Sequence, residues 1–287
     1  MMIASPFKVQ MPRVQTTSVV FASPHSGRNY PRSFLSRSVL DERVIRSSED
    51  AFVDVLFDAA PRFGAPLLTA VAPRAYVDLN RSHEELDPAL IQGVRQQSSN
   101  PRVSSGLGVI PRVVANGRAI YDGKLRRGEA NDRLNNVWHP YHARLQGFLA
   151  DNRREFGEAI LIDCHSMPHE AIESIGRTGS HKPDVVLGDR FGAAASANVV
   201  EWIEAAFDRA GLSVARNVPF AGAYTAQHYG RPSRNQHVVQ VEIDRALYMN
   251  ESTIEPNEHF DDLKAVLTQV IAEVVGVGRQ ELPLAAE

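Results

Sequence analysis

Short runs of apolar residues alternate along the chain with longer segments in which apolar positions recur at helical spacing. The short runs predict buried β-strands and the longer segments predict amphipathic helices. The predicted strands cover residues 17–22, 66–71, 76–79, 159–163, 185–187, 213–215 and 237–243. The predicted helices cover residues 49–57, 131–156, 193–210 and 257–276. This alternation predicts an α/β layer fold.

Residues 88–130 interrupt the pattern, since they are rich in Gly, Arg, Ser and Asn and have no sustained period. We interpret them as a long irregular insertion, and loops of such length usually have a function. No repeat, low-complexity tract or flexible linker divides the chain. We therefore expect a single domain over residues 1–287.

The composition argues against several classes of protein. A hydrophobic content of 43% over 287 residues supplies a full core, and a net charge of −3 argues against a nucleic-acid-binding protein. No apolar run reaches the roughly 18 residues of a membrane span. The first residues lack the pattern of a signal peptide, and the single cysteine, Cys164, suits a reducing compartment. We expect a cytoplasmic protein.

Three of the predicted strands end in residues that bind metals or move protons. His25 follows the first strand, His165 follows the strand at 159–163, and Glu242 lies at the end of the strand at 237–243. Ligands collect at the carboxyl ends of strands in open α/β sheets. Two histidines and a carboxylate leave an open position for water on zinc, and a buried glutamate is suited to be a general base.

The carboxylate of this set comes from the predicted helix at 49–57. Asp50 and Asp54 lie four residues apart on one face of that helix, so either could face a metal. Structural roles are the alternatives: the histidines could be satisfied in the core, Glu49 and Asp50 could stabilise a helix N-terminus, and Glu242 could pair with an arginine. The agreement of three strand ends favours one site.

Two further segments carry polar groups suited to a ligand. The sequence Asp-Leu-Asn-Arg at 78–81 follows a predicted strand, and the guanidinium of Arg81 suits a ligand carboxylate. Its alternative role is to anchor a loop. The segment 220–232 combines His228 and Arg231 with glycines that let backbone approach a ligand, or it is a loop before the next strand.

Several motifs follow one another along the chain, and most of the residues above belong to them. They are Ser23-Pro24-His25-Ser26-Gly27, Asp50-Ala51-Phe52-Val53-Asp54, Val77-Asp78-Leu79-Asn80-Arg81, Gly106-Leu107-Gly108-Val109-Ile110-Pro111-Arg112, Trp138-His139-Pro140-Tyr141-His142, Asp163-Cys164-His165-Ser166, and the segment 222–242 with Tyr248-Met249-Asn250-Glu251. In this order they resemble the N-formylglutamate amidohydrolase family. The resemblance implies a three-layer α/β/α fold with a mixed, mostly parallel sheet, similar to zinc carboxypeptidases and cell-wall amidases.

The resemblance also implies a function and a site. The function is metal-dependent hydrolysis of N-formyl-L-glutamate to formate and L-glutamate in histidine degradation, through a metal-activated water. One divalent ion is implied, with zinc expected and cobalt, nickel or iron as alternatives. The implied metal ligands are His25, Asp50 and His165, with Glu49 as the alternative to Asp50; Asp54 and Asp163 would orient the ligands, and Glu242 would be the general base. The implied substrate-binding residues are Asn80, Arg81, Arg112, His228 and Arg231.

Two departures from the family pattern bear on the substrate. Ala51-Phe52 stands where some members have a Trp-His pair, and Ala223 replaces the second glycine of a Gly-Gly-Tyr motif. The alternatives are therefore a deacylase for another N-acyl amino acid and a non-catalytic relative that binds small acids. The expected partner is a small-molecule N-acyl amino acid, and self-association into a homo-oligomer is left open. Cys164 should point away from His165, since adjacent strand residues face opposite sides.

Overall fold

A computed structural model describes residues 5–95, 100–173 and 182–279 of the protein. Seven strands form one sheet in the order β1-β3-β2-β4-β7-β5-β6. Their bounds are Phe7–Gln10 (β1), Val19–Ser23 (β2), Leu67–Ala70 (β3), Ala159–Met167 (β4), Val185–Gly188 (β5), Val214–Arg216 (β6) and Gln236–Asp244 (β7). A separate two-stranded sheet pairs Met249–Asn250 (β8) with Glu255–Pro256 (β9).

The sheet is mixed and mostly parallel, which confirms the fold class expected from the sequence. Strands β3, β2, β4 and β7 are parallel to their neighbours in that series, and β5 is parallel to β6. Antiparallel pairing joins β1 to β3 and β5 to β7. All nine residues of β4 are buried, as expected of a central strand that is covered on both faces.

Helices of very different length surround the sheet. The α-helices are Arg32–Leu35 (α1), Val53–Leu56 (α2), Pro101–Ser104 (α3), Arg127–Arg133 (α4), His139–Phe156 (α5), Glu170–Glu173 (α6), Ala197–Arg209 (α7), Tyr224–Tyr229 (α8) and Phe260–Val274 (α9). A π-helical segment, Leu134–Trp138, joins α4 to α5. Turns of 3₁₀-helix occur at Val44–Arg46, Ala60–Phe63, Ala115–Gly117, Pro232–Arg234, Arg245–Leu247 and Val275–Gly278. Within the described part of the chain, no helix has both the length and the apolar character to cross a membrane.

Alternation along the strands divides the core into two layers. Phe21, Ile162 and Cys164 lie in a cluster with the buried faces of α2, α7 and α9. Val20 and Leu161 lie in the opposite cluster, with α5 and the buried apolar residues of the 88–130 insertion. Successive side chains of a strand face opposite sides, so one central sheet separates two helical layers.

Several predicted elements differ from those observed. The predicted helix at 49–57 begins only at Val53, because Phe52 has a left-handed backbone conformation with φ of 67°. Asp50 therefore lies in the loop before the helix, on no shared helix face with Asp54. The predicted strand at 76–79 is wrong: its apolar residues are buried, but its backbone forms turns on Pro73 and bonds to the insertion.

Other differences concern element ends. Strand β4 continues to Met167, beyond its predicted end at residue 163, and α4 begins four residues before the helix predicted at 131–156. Strand β1 was not predicted, since it is only a four-residue edge strand. The longer β4 places His165 inside the sheet, directly opposite Glu242 of β7 in the strand register. His25 follows β2 on the other side of β4, so three strands deliver the candidate side chains to one edge.

Candidate active site

His25, Asp50 and His165 form a buried group at the carboxyl end of the parallel strands. Asp50 Oδ2 lies 2.9 Å from His165 Nδ1 and 3.3 Å from His25 Nδ1. One candidate ligand atom from each residue lies within 4.8 Å of the other two. Two imidazoles and one carboxylate so arranged could hold a divalent cation.

A second carboxylate lies against the outer nitrogen of each imidazole. His25 Nε2 donates to Asp78 Oδ1 at 2.8 Å, and His165 Nε2 lies 3.1 Å from Asp163 Oδ2. Carboxylates in this position fix the ring orientation of metal-binding histidines and increase their basicity. Asp78 thus holds the ring of His25 with Nδ1 toward Asp50, and Asp163 lies close to the corresponding nitrogen of His165.

The other oxygen of Asp50 is bound to an arginine. Arg245 Nη2 donates to Asp50 Oδ1 at 3.0 Å, and Arg245 Nε donates to Ser166 Oγ at 3.2 Å. Burial alone would raise the pKa of Asp50, but its interactions with His165 and His25 hold that pKa well below its usual range. Asp50 is therefore an ionised carboxylate with one oxygen directed at the histidines.

The donor set of the site fits a divalent cation. Within the described ranges, His25 Nδ1 and both oxygens of Asp163 are buried without a hydrogen bond of good geometry. Asp50, Asp78 and Glu242 are also buried in the same region. Buried polar atoms are costly when they have no partner, and a cation beside His25 Nδ1 would give that nitrogen a partner.

Glu242 is a further buried acidic residue of the site. It lies opposite His165 in the register of β4 and β7, and Gln240 Nε2 donates to its Oε1 at 2.8 Å. Burial raises the pKa of Glu242 to about 7, and the nearby Asp50 carboxylate acts in the same direction. A carboxyl group with this pKa gains and loses a proton near neutral pH.

These residues open onto a cavity of about 650 Å³. Asn80 and Arg81 line it: Asn80 Nδ2 lies 3.1 Å from His165 Nε2, and Arg81 donates to the carbonyl oxygens of Leu107 and Asn80. Three more arginines line the same cavity, namely Arg74, Arg102 and Arg245. An apolar wall faces them, which includes Leu107, Pro111, Val113, Met167 and Phe220. The cavity therefore suits an anionic ligand with a small apolar part.

Two acidic residues expected at the metal lie elsewhere. Glu49 accepts hydrogen bonds from Tyr30 and Arg46, and it points away from its neighbour Asp50. Asp54 forms an ion pair with Arg28 at 2.9 Å on the partly exposed side of α2. The left-handed turn at residue 52 separates Asp54 from Asp50, so the structure brings neither Glu49 nor Asp54 to the two histidines.

Three residues expected at the substrate also lie outside this cavity. Arg112 Nε donates to Asp87 Oδ2 at 2.8 Å, within the insertion. His228 and Arg231 line a second cavity of about 910 Å³ together with Tyr224. The glycine-rich segment does reach the site, but through the backbone of residues 219–223 instead of these two side chains.

Sequence reasoning missed four residues of the site: Arg74, Asp78 as the partner of His25, Gln240 and Arg245. Arg74 and Asp78 belong to the turn at the segment for which the sequence predicts a strand. Arg74 Nε donates to Asp78 Oδ2 at 3.1 Å. Gln240 lies two residues before Glu242 on the same strand face. Arg245 comes three residues after Glu242, in the turn that follows β7. Its position close to a strand end was the only feature of the sequence that could have indicated a role in the site.

The mixed sheet makes the protein an α/β protein. The buried histidines and carboxylate, beside a glutamate at the strand ends, are the side chains that a metal-dependent hydrolase would need. The chain belongs to the N-formylglutamate amidohydrolase family, whose model matches residues 17–249. This confirms the family resemblance identified in the sequence.

Individual relatives support this membership. The chain is 29% identical over 271 residues to an N-formylglutamate deformylase of Pseudomonas aeruginosa, with 91% of this chain and 94% of the relative covered. An N-formylglutamate deformylase of Pseudomonas putida is 28% identical over 273 residues, with the same coverage. The crystal structure of an N-formylglutamate amidohydrolase from Ralstonia eutropha JMP134 has a TM-score of 0.89 and 35% identity, over 96% of this chain and 98% of that one.

Proposed function

We propose that this protein hydrolyses the amide bond of N-formyl-L-glutamate to formate and L-glutamate, a step of histidine degradation. The observation that carries the proposal is the shared cavity: the His25–Asp50–His165 group, Glu242 and several guanidinium groups all line it. The names of the curated relatives support the choice of substrate.

We assign the metal ligands to His25, Asp50 and His165, and we expect zinc, with cobalt, nickel or iron as alternatives. The unpartnered Nδ1 of His25, which faces Asp50, supports this assignment. When bound, the ion supplies Lewis-acid polarisation of the amide carbonyl and lowers the pKa of water. Asp78 and Asp163 hold the histidine rings in the ligating orientation.

Glu242 is the proposed general base. Its carboxylate accepts one proton from the water that attacks the formyl carbon, and the same carboxyl group then donates that proton to the departing amine nitrogen. The carbon–nitrogen bond breaks, and the products are formate and glutamate. Gln240 holds Oε1 of Glu242, which leaves Oε2 for the proton transfer.

Arg74 is the proposed protein donor to the oxyanion of the tetrahedral intermediate. Its Nε is bound to Asp78, which also holds His25, so the guanidinium has a fixed position at the cavity wall. Prealigned donors of this kind stabilise the charge that develops in acyl transfer. Arg81, which lines the cavity, is the proposed ligand of the substrate α-carboxylate. The amide of the neighbouring Asn80 is bound to His165, Gln240 and Thr225, so we assign Asn80 to positioning.

A second candidate is a deacylase for another N-acyl amino acid. The apolar wall formed in part by Leu107, Val113 and Phe220 favours it, because this wall gives room for an acyl group larger than formyl. The cationic wall is common to both candidates. The difference between them is therefore confined to the acyl group.

A substrate panel tests the proposal. N-formyl-, N-acetyl- and N-butanoyl-L-glutamate are compared by kcat/KM for release of glutamate, with wild-type protein and the Glu242→Gln variant. We expect the formyl substrate to be preferred, and a loss of about 10²–10⁴-fold in the variant. Asp54→Asn, which changes an exposed ion pair, is the matched control with wild-type rates. Preference for a larger acyl group would select the second candidate, and an active Glu242→Gln variant would refute the role of Glu242.

A further inference from the structure

Among the described residues that line the cavity, Arg102 is the arginine that lies on the insertion. It belongs to α3, a single turn whose first N–H groups are capped by Asn100, since Asn100 Oδ1 accepts a hydrogen bond from the Arg102 backbone N–H at 3.0 Å. Its side chain is exposed and lines the cavity with Arg81. The cap fixes the start of the turn, so the backbone that carries the guanidinium has a defined position.

The other guanidinium groups of the cavity already bind protein oxygens. Arg74 binds Asp78 and Arg245 binds Asp50. Arg81 donates through Nε and Nη1 to two carbonyl oxygens, which leaves Nη2 for a ligand. Over the ranges that the structure describes, the guanidinium of Arg102 has no hydrogen bond or ion pair. Its whole donor fork is therefore available.

The residues that line the cavity provide a partner for each polar group of an N-acyl acidic amino acid. The reacting amide must lie beside His165 and Glu242. The α-carboxylate is one carbon from the amide nitrogen, and Arg81 follows Asn80, whose Nδ2 is 3.1 Å from His165. The side-chain carboxylate of such a ligand is two methylene groups from the α-carbon, and the exposed Arg102 lines the same cavity.

The like charges of Arg81 and Arg102 in one cavity also favour a dianionic ligand, since the carboxylate nearest to Arg81, that of Asp78, lies 4.0 Å from its Nε. Burial lowers the pKa of Arg81, and the charge of Arg102 is among the cationic neighbours that lower it further. A second carboxylate bound between the two groups would remove this repulsion. A ligand with one carboxylate would leave Arg102 without a counter-charge.

We propose that Arg102 is a specificity-determining residue that binds the side-chain carboxylate of an acidic amino acid in the leaving group. The inference rests on the proposed function, because it places the amide at Glu242. The insertion at 88–130, which carries Arg102, would then select substrates with an acidic amino acid over those with a neutral one.

The test compares N-formyl-L-glutamate with its neutral isostere N-formyl-L-glutamine, in wild-type protein and in Arg102→Ala. We expect the ratio of kcat/KM for glutamate over glutamine to fall about 10- to 100-fold, mainly through the KM for glutamate, because a charge-assisted hydrogen bond is lost. Arg126→Ala, an exposed arginine that lies on the same insertion outside this cavity, should keep the wild-type ratio. An unchanged ratio in Arg102→Ala would overturn the inference.

Calorimetric measurement of ligand affinity distinguishes failure of this inference from failure of the proposed function. If wild-type protein releases no formate from either compound, the proposed function fails. Binding of N-formyl-L-glutamate still tests Arg102 in that case: a 10- to 100-fold weaker affinity in Arg102→Ala supports its role. Equal affinity in the two proteins refutes it.

Discussion

Arg245 Nη2 lies 3.0 Å from Asp50 Oδ1, while the other oxygen of the same carboxylate faces His25 and His165. The two oxygens of Asp50 therefore have different partners. One is bound to a fixed cation of the protein, and the other is available to a metal ion. Arg245 also binds Ser166, the neighbour of His165, so one guanidinium links the loop of Asp50 to the strand of His165.

Removal of Arg245 should destabilise the protein strongly. Arg245→Ala leaves the buried Asp50 oxygen without its partner, and we expect the free energy of unfolding to fall by about 3–5 kcal/mol. Arg28→Ala, which removes the partly exposed pair with Asp54, should cost less than about 1 kcal/mol. Urea denaturation of the metal-free proteins measures both. Equal losses in the two variants would contradict the structural role of Arg245.

Asp78 should control metal affinity without being a ligand. Asp78→Asn removes the charge that holds His25 Nε2, and loss of such a partner typically weakens metal binding by about 10–100-fold. Asp54→Asn is the control, since Asp54 contacts Arg28 instead of a histidine. Competition with a chromophoric chelator gives both affinities. Wild-type affinity in Asp78→Asn would show that His25 needs no carboxylate partner.

Much of the fold was predictable because its signals are local. The apolar run at 159–163 forms the buried strand that its composition indicates, and the segment at 257–276 carries the helical period of α9. The segment at 76–79 has a similar apolar content, but its backbone forms hydrogen bonds to Pro73 and to the insertion instead of to a strand. The bond to the insertion joins residues far apart in sequence, so a local pattern does not reveal it. Tertiary contacts decide such segments.

The candidate site was predictable where residues follow strands, because strand ends converge in space. His25, His165 and Glu242 are brought together for this reason. The separation of Asp54 from Asp50 depends on one left-handed residue, Phe52, and neither propensity nor spacing predicts that conformation for an aromatic residue. Glu49 is kept from the site by its bonds to Arg46 and to Tyr30, of which the bond to Tyr30 is a tertiary contact. The partners of Arg112 and Arg245 depend on loop paths, which local sequence does not define.

Arg81 and Arg112 should differ in their effect on substrate binding. Arg81→Ala removes a guanidinium from the cavity, and we expect KM for N-formyl-L-glutamate to rise about 10–100-fold. Arg112→Ala breaks the ion pair with Asp87 and should lower stability while KM is unchanged. Steady-state kinetics of the two variants measure the difference. A raised KM in Arg112→Ala alone would favour the substrate role expected from the sequence.

Cys164 should have no part in the chemistry. It is fully buried in the core cluster of α7 and α9, and burial raises the pKa of its thiol well above the ordinary value. Cys164→Ala should retain the wild-type rate of formate release and lose about 1 kcal/mol of unfolding free energy, since a small cavity replaces the sulfur. Formate assays and denaturation check the two parts. Complete loss of activity in a folded variant would point to a cysteine nucleophile.

We expect His25, Asp50 and His165 to hold a catalytic divalent ion. The decisive measurement is metal content per chain, made together with formate release from N-formyl-L-glutamate before and after chelation. We expect about one ion per chain, loss of formate release on chelation, recovery with zinc or cobalt, and little bound metal in folded Asp50→Asn. Full formate release by the metal-free protein would refute a metal-dependent reaction.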